Sequence, residues 1–143
     1  MKIFENLPKY FVIGFFGIGL AALITKAFLP EKEVKGLAVA IPQFSSEAQA
    51  GELLFGENCA ACHGQNAAGT SNGPPLIHDI YNPGHHPDES FYSAVQKGVR
   101  GHHWPYGNMP PQSQVTQEQT GQIIRYIREL QVSNGITYKP HNM

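Results

Sequence analysis

Hydrophobic residues are spread unevenly along the chain. Residues 10–29 read YFVIGFFGIGLAALITKAFL, twenty positions in which Lys26 carries the only charge. Rising 1.5 Å per residue as a helix, this run spans roughly 30 Å, the thickness of a bilayer's hydrocarbon core. The pattern therefore predicts one N-terminal transmembrane helix over about 10–29, within an anchor over 1–29. A cleaved signal peptide is the rival, since Lys2 and Lys9 flank the run and Ala38-Val39-Ala40 resembles a cleavage site. The charged stretch Glu31-Lys32-Glu33-Val34-Lys35 separates the two. A cleavage site normally follows its apolar core closely, which favours the uncleaved anchor. Lysine counts leave orientation open, with Lys2 and Lys9 on one side facing Lys26, Lys32 and Lys35 on the other.

After the apolar run the pattern changes twice. Residues 30–43 hold two Pro, mixed charges and no sustained periodicity, which suits a linker. A globular domain is expected over 44–143, and helical periodicity marks three segments of it. Ser46-Glu47-Ala48-Gln49 fits a capping box opening a helix that turns Ala50, Leu53 and Leu54 inward and ends near Cys59. Asp88, after Pro87, starts a second helix with Phe91, Ala94 and Val95 on one face and Gly98 as its stop. Thr116-Gln117-Glu118-Gln119 is another capping box. The helix it opens carries Ile123, Ile127 and Leu130 on one stripe, Ile124 beside them, and Ser133-Asn134-Gly135 at its end. The expected fold is mainly α.

Residues 64–87 and 99–115 are rich in Gly, Pro and Asn and lack strand alternation. Loops so long in so small a domain imply that something else fills the core. A large covalent ligand would complete a core that three short helices cannot build alone. The formal charge of -1 provides no basic footprint for nucleic acid.

The two cysteines fall in Cys59-Ala60-Ala61-Cys62-His63, too close together to close a stabilising disulfide loop. In C-x-x-C-H, two thiols one helical turn apart add to the two vinyl groups of a haem and the adjacent imidazole reaches the iron. A structural zinc site would need a second ligand pair that the sequence does not supply, and a thioredoxin-like dithiol belongs in a βαβ setting that is absent here. Met109, in Gly107-Asn108-Met109-Pro110-Pro111, is the candidate second axial ligand. Its thioether would favour ferrous iron and raise the potential. The competing reading is core packing, although Met109 lies in a Gly/Pro-rich loop and not on a helical stripe. Trp104 and Tyr106 are expected to wall the cofactor crevice with their polar tips at propionates or solvent. Asn108 is read either as a donor to the Met109 sulfur or as a turn residue beside Gly107.

Taken in order, these features resemble the class I, mitochondrial-type monohaem cytochromes c over about residues 46–131. The resemblance is carried by Gly51 and Phe55, the C-x-x-C-H motif, Gly73-Pro74-Pro75-Leu76, Met109-Pro110-Pro111 and Tyr126. It implies the class I fold of three or more short helices and long loops around a single covalent haem c. It also implies a close crossing of the first and last helices at Gly51, Phe55 and Tyr126. Pro74 is the implied backbone acceptor for the His63 imidazole, with Pro75 in that role if the register slips by one. Haem is attached outside the cytoplasm in bacteria, so the domain is expected in the periplasm on a single-pass inner-membrane anchor. Anchored members shuttle electrons between a quinol-oxidising complex and a terminal oxidase, reductase or photosynthetic centre. The function implied is thus electron carriage in a respiratory or photosynthetic chain, without substrate chemistry. The alternatives are a haem c subunit of a larger oxidoreductase complex and, further off, a haem-based ligand sensor.

Two histidine pairs, His85-His86 and His102-His103, are not accounted for by the family pattern. They are read as loop residues bonding propionates, carbonyls or water. Competing readings are a second metal such as copper held with Asp88, a docking or pH-sensitive role, and a histidine replacing Met109 on the iron. His78, Asp79 and Tyr81 receive no assignment.

Overall fold

The computed structural model describes residues 11–12, 14–19 and 38–140. The chain divides into two compact units, Met1–Glu33 and Val34–Met143. In the first, residues 11–12 and 14–19 are helical, with Phe11, Phe15, Phe16 and Ile18 largely exposed. The rest of the expected transmembrane span lies outside the described residues. Among the described residues no helix is long and apolar enough to cross a membrane.

The second unit is mainly helical. Its first helix, α1, covers Ser46–Asn58, α2 follows after the single residue Cys59 and covers Ala60–His63, and α3 covers Asp88–Lys97. The last, α4, covers Gln117–Ser133. Two 3-10 turns, Gln65–Ala67 and Asp79–Tyr81, punctuate the long first loop. One isolated antiparallel bridge, Val99 to Met109, closes the second.

α4 forms where its periodicity places it. The Thr116 side chain accepts from the Gln119 N–H and the Gln119 side chain accepts from the Thr116 N–H, which satisfies two otherwise orphaned donors. Ile123, Ile124, Ile127 and Leu130 are all buried. Asn134 and Gly135, at φ +78°, end the helix.

α1 corrects the expected cap and, at Leu53, the expected face, while Leu54 packs against the core. Ser45, not Ser46, caps the helix through its hydroxyl, which accepts from the Ala48 N–H. Ala48, Gly51 and Phe55 are buried, whereas Leu53 is 71 % exposed. The reason is the crossing with α4. A Cβ on Gly51 would overlap the Gln122 carbonyl oxygen and come within 2.5 Å of its carbon. The two backbones therefore meet at Gly51, and α1 rolls to bring that gap, not Leu53, to the interface. Tyr126 packs between Phe44 and Phe55, with ring centroids at 5.1 and 5.4 Å.

The final residues of the stretch read as linker are tied to α4. The Ala40 N–H donates to Asn134 Oδ1 at 2.8 Å, and its carbonyl accepts from Ser133 Oγ and Asn134 Nδ2. Glu129 accepts from both the N–H and the hydroxyl of Ser45.

Candidate functional site

The C-x-x-C-H motif occupies the joint between α1 and α2. α1 ends as the Cys59 N–H donates to the Phe55 carbonyl, and the following single turn, α2, brings Cys62 and His63 around. Gly64, at φ +75°, then breaks the helix. A Cβ there would run into Gly69, so only glycine lets the loop fold back this tightly. The fold-back is closed by the Leu76 N–H donating to the Ala67 carbonyl at 2.9 Å, and it delivers Pro74 to His63.

His63 Nδ1 lies 2.9 Å from the Pro74 carbonyl oxygen. A carbonyl only accepts, so the ring proton sits on Nδ1 and the Nε2 lone pair is left for a metal. Burial holds the imidazole below its usual range, with the Pro74 hydrogen bond pulling the other way. A neutral ring of defined tautomer is the form that ligates iron.

Burial, reinforced by the neighbouring Cys62, pushes the Cys59 thiol up to about 11. A thioredoxin-like dithiol needs the opposite shift. Cys59 and Cys62 are both free thiols, the second exposed.

Cys59 and His63, but not Cys62, border an apolar cavity of about 530 Å³, whose walls also include Leu76, Val95, Met109 and Ile127. The α3 residues Phe91, Ala94 and Val95 line it as one face. Met109 reaches the wall through the strap that crosses the second long loop. Its N–H donates to the Val99 carbonyl at 2.9 Å and its carbonyl accepts from the Val99 N–H at 3.0 Å. Gly98, at φ +75°, permits this pairing, since a Cβ there would approach the Met109 carbonyl oxygen to 2.5 Å. Asn108 acts as a brace, its Oδ1 accepting from the Gly101 N–H at 3.0 Å.

Trp104 joins the cavity wall, with its indole N–H donating to the Tyr81 hydroxyl at 3.1 Å. Tyr106 does not, contrary to expectation. It sits in the turn after Pro105, 38 % exposed and 6.3 Å from the Trp104 ring centroid, because that turn carries its ring away from the wall.

The residues present fit a covalent haem. An apolar cavity of ligand size has a buried thiol, an imidazole with an available Nε2 and a thioether on its walls, and the second thiol follows one turn after the first. A family model for cytochrome c matches residues 48–131, and the chain belongs to the cytochrome c family, a class I domain of mainly helical fold. That membership implies a covalent haem c and haem-based electron transfer, with which the Cys59 and Cys62 pair is consistent. The chain is 37 % identical over 99 residues to a Cbb3-type cytochrome c oxidase subunit FixP of Sinorhizobium medicae, an overlap covering 64 % of this chain. It spans about a third of that relative's length, 33 %. No solved structure gave a significant match.

Several residues that hold the site carry no periodic signal in the sequence. Arg128 donates to Asp88, to the carbonyls of Tyr81 and His86 and to Gln131, and lies 4.9 Å from the Phe91 ring centroid. Gln131 is fully buried and donates to the Leu76 and Tyr81 carbonyls. Together they clamp the first long loop to α4. His78 caps the turn Asp79–Tyr81 by accepting from the Ile80 N–H, and Asp79 pairs with Lys139.

Proposed function

We propose that the protein is a membrane-tethered periplasmic electron carrier that cycles one haem c between Fe(II) and Fe(III). The observation that carries this reading is the convergence on one apolar cavity of Cys59, the Pro74-bonded His63 and the bridge-held Met109. When bound, the haem supplies a one-electron couple. Cys59 and Cys62 would tether it, His63 and Met109 would hold its iron, and the Pro74 carbonyl fixes the imidazole that would do so. The apolar wall excludes water, and a thioether brought in on a hydrogen-bonded strap closes the iron to small ligands. Trp104 closes the wall near Tyr81.

The apolar run at 10–29 supports anchoring in a bacterial inner membrane. The attachment of haem outside the cytoplasm supports a periplasmic domain. A tether raises the local concentration of partners in the same membrane. The partners proposed are a quinol-oxidising complex and a terminal oxidase, with a reductase or photosynthetic centre in place of the oxidase as the variant. The similarity to an oxidase subunit favours one second reading, in which the chain is itself the haem c subunit of an oxidase complex.

The test is the visible and near-infrared spectrum of the purified protein in both redox states, with carbon monoxide added to the reduced form. A low-spin covalent haem with a near-infrared sulfur-to-iron band and no carbon monoxide shift is expected. A carbon monoxide shift or a missing sulfur band would remove Met109 from the iron and promote a ligand sensor. Co-purification with an intact oxidase after mild detergent extraction would decide for the subunit reading over the carrier.

A further inference from the structure

The two histidine pairs, 17 positions apart in sequence from His85 to His102, come together in space. The ring centroids of His85 and His103 lie 5.5 Å apart, those of His86 and His103 5.3 Å, and those of His102 and His103 4.1 Å. One nitrogen from each of His85, His86 and His103 can be chosen so that all three lie within 4.8 Å of one another. Nitrogens on one tetrahedral zinc, each about 2.0–2.1 Å from the metal, are separated by about 3.3 Å. The cluster is therefore about 1.5 Å of side-chain movement from a closed site.

The backbone under the cluster is built rather than loose. Adjacent histidines ordinarily diverge, but a tight turn at buried Asn82 holds His85 and His86 together. The Asn82 carbonyl accepts from both of their N–H groups, and Asn82 Oδ1 accepts from the N–H groups of Gly84 and His85. Arg128 pins the His86 carbonyl from the other side. The second pair hangs on the strap braced by Asn108 and the Val99–Met109 bridge.

An independent observation points to a metal. His86 Nδ1 lies 2.6 Å from the Ile80 carbonyl oxygen and His102 Nδ1 lies 2.8 Å from the Arg100 carbonyl oxygen. Each contact assigns the proton to Nδ1 and leaves Nε2 as a lone-pair donor, the arrangement that orients metal-ligating histidines. Asp88 is not part of the set, because its carboxylate is engaged by Arg128 at 2.8 Å.

We propose that His85, His86 and His103 bind a single divalent ion of the zinc and copper class at the edge of the haem cavity, whose wall His86, His102 and His103 help to form, with a fourth coordination position left open. Imidazole is the donor these ions share, and a set of three neutral nitrogens without a carboxylate disfavours magnesium and calcium. His102, next to His103 and with its Nε2 available, stands where a fourth imidazole could enter. The proposal stands apart from the electron-carrier reading, since none of these histidines is assigned to the iron.

The test is a zinc titration of the full-length, haem-loaded protein against a chromophoric chelator. Wild type is expected to take up one equivalent, His103→Gln to bind about ten-fold or more weakly, and Glu118→Gln, at an exposed position in the first turn of α4, to match wild type. Copper(II) on the same protein should give an electron paramagnetic resonance spectrum with hyperfine structure from imidazole nitrogens, altered in His103→Gln. Because His103 is exposed, that variant is expected to keep the wild-type unfolding midpoint. The proposal is overturned by failure of wild type to retain zinc against the chelator, or by His103→Gln binding like wild type. An equal loss in Glu118→Gln would overturn it too.

Discussion

Gly51 gives the sharpest test of how this domain is held together. Replacing it by alanine places a carbon 2.5 Å from the Gln122 carbonyl carbon, where ordinary contact begins at about 3.4 Å. The neighbour is backbone, so no side chain can swing aside and the two helices must part locally by about 1 Å. A gap of that size forfeits a quarter to a half of each dispersion contact it opens, and here it opens around Tyr126, Ile123 and Phe55. Overpacking of this kind costs about 1–3 kcal/mol, and a backbone clash belongs at the upper end. Alanine returns about 0.8–1.0 kcal/mol through its better helix propensity, which leaves a net loss of about 2 kcal/mol. For a domain of roughly 100 residues this lowers the melting temperature by about 10 °C. Gly56 lies in the same helix but is exposed, and a Cβ there meets nothing within 4 Å. Gly56→Ala should therefore gain about 0.5–1 kcal/mol from propensity alone. The assay is thermal unfolding of the haem-loaded protein, followed by far-ultraviolet circular dichroism and by the Soret band. If Gly51→Ala proved as stable as wild type, or both variants moved in the same direction, the close crossing would not be what packs these helices.

Three further outcomes follow from the same geometry. Gly98→Ala should push the strap off its pairing with Val99; near-infrared and carbon monoxide spectra should then show a weakened sulfur-to-iron band and a reduced form open to ligand, with helical content retained. Thr116→Ala removes the hydroxyl half of the capping box and should cost about 1 kcal/mol in urea unfolding. The Glu129 carboxylate feels some upward push from burial, but its hydrogen bonds from Ser45 and its pairing with Arg125 hold it below the usual range. Its contribution is therefore present above the unfolded value of about 4.5 and is lost as pH falls through the lower folded value. Glu129→Gln should be less stable than wild type near neutral pH by a few tenths of a kcal/mol, and the gap should close in acid; a constant difference across that range would remove the ionised carboxylate as its cause.

The last helix was legible in the sequence because two signals agree there, an apolar stripe of period 3.6 and a capping box. α3 was legible for a similar reason, with Pro87 and Gly98 bounding it. In α1, Leu54 packs against the core as its pattern implies, but Leu53 faces outward and the closest approach is made by Gly51. Apolar periodicity counts side chains that pack, whereas Gly51 packs by having none, and only the resemblance to the cytochromes c pointed to it. The contact between His63 and Pro74 was likewise carried by that resemblance, since nothing in a proline pair announces which carbonyl turns inward. Arg128, Gln131 and Asn82 escaped notice because polar residues read as surface. The burial of Arg128 and Gln131 is decided by carbonyls 40 or more positions away, for Gln131 those of Leu76 and Tyr81, while Asn82 donates to the Asp79 carbonyl three residues back. Trp104 lines the cavity and Tyr106, two positions on, does not, a difference that no local pattern in the sequence encodes. The spatial meeting of His85 and His86 with His103 depends on two loops whose course no local pattern encodes.

The crossing of α1 with α4 also dictates an order of events as the chain is made. α1 has 13 residues, a length at which an isolated helix is marginal in water, and the surface that buries its Ala48, Gly51 and Phe55 belongs to Gln117–Ser133. Until those residues emerge, nearly sixty positions after α1 ends, the helix has no partner and Cys59 to His63 remain on an open, pliable segment. Any machinery that must grip both cysteines and a haem together therefore has that whole interval in which to act, before the last helix docks and makes Cys59 part of a wall.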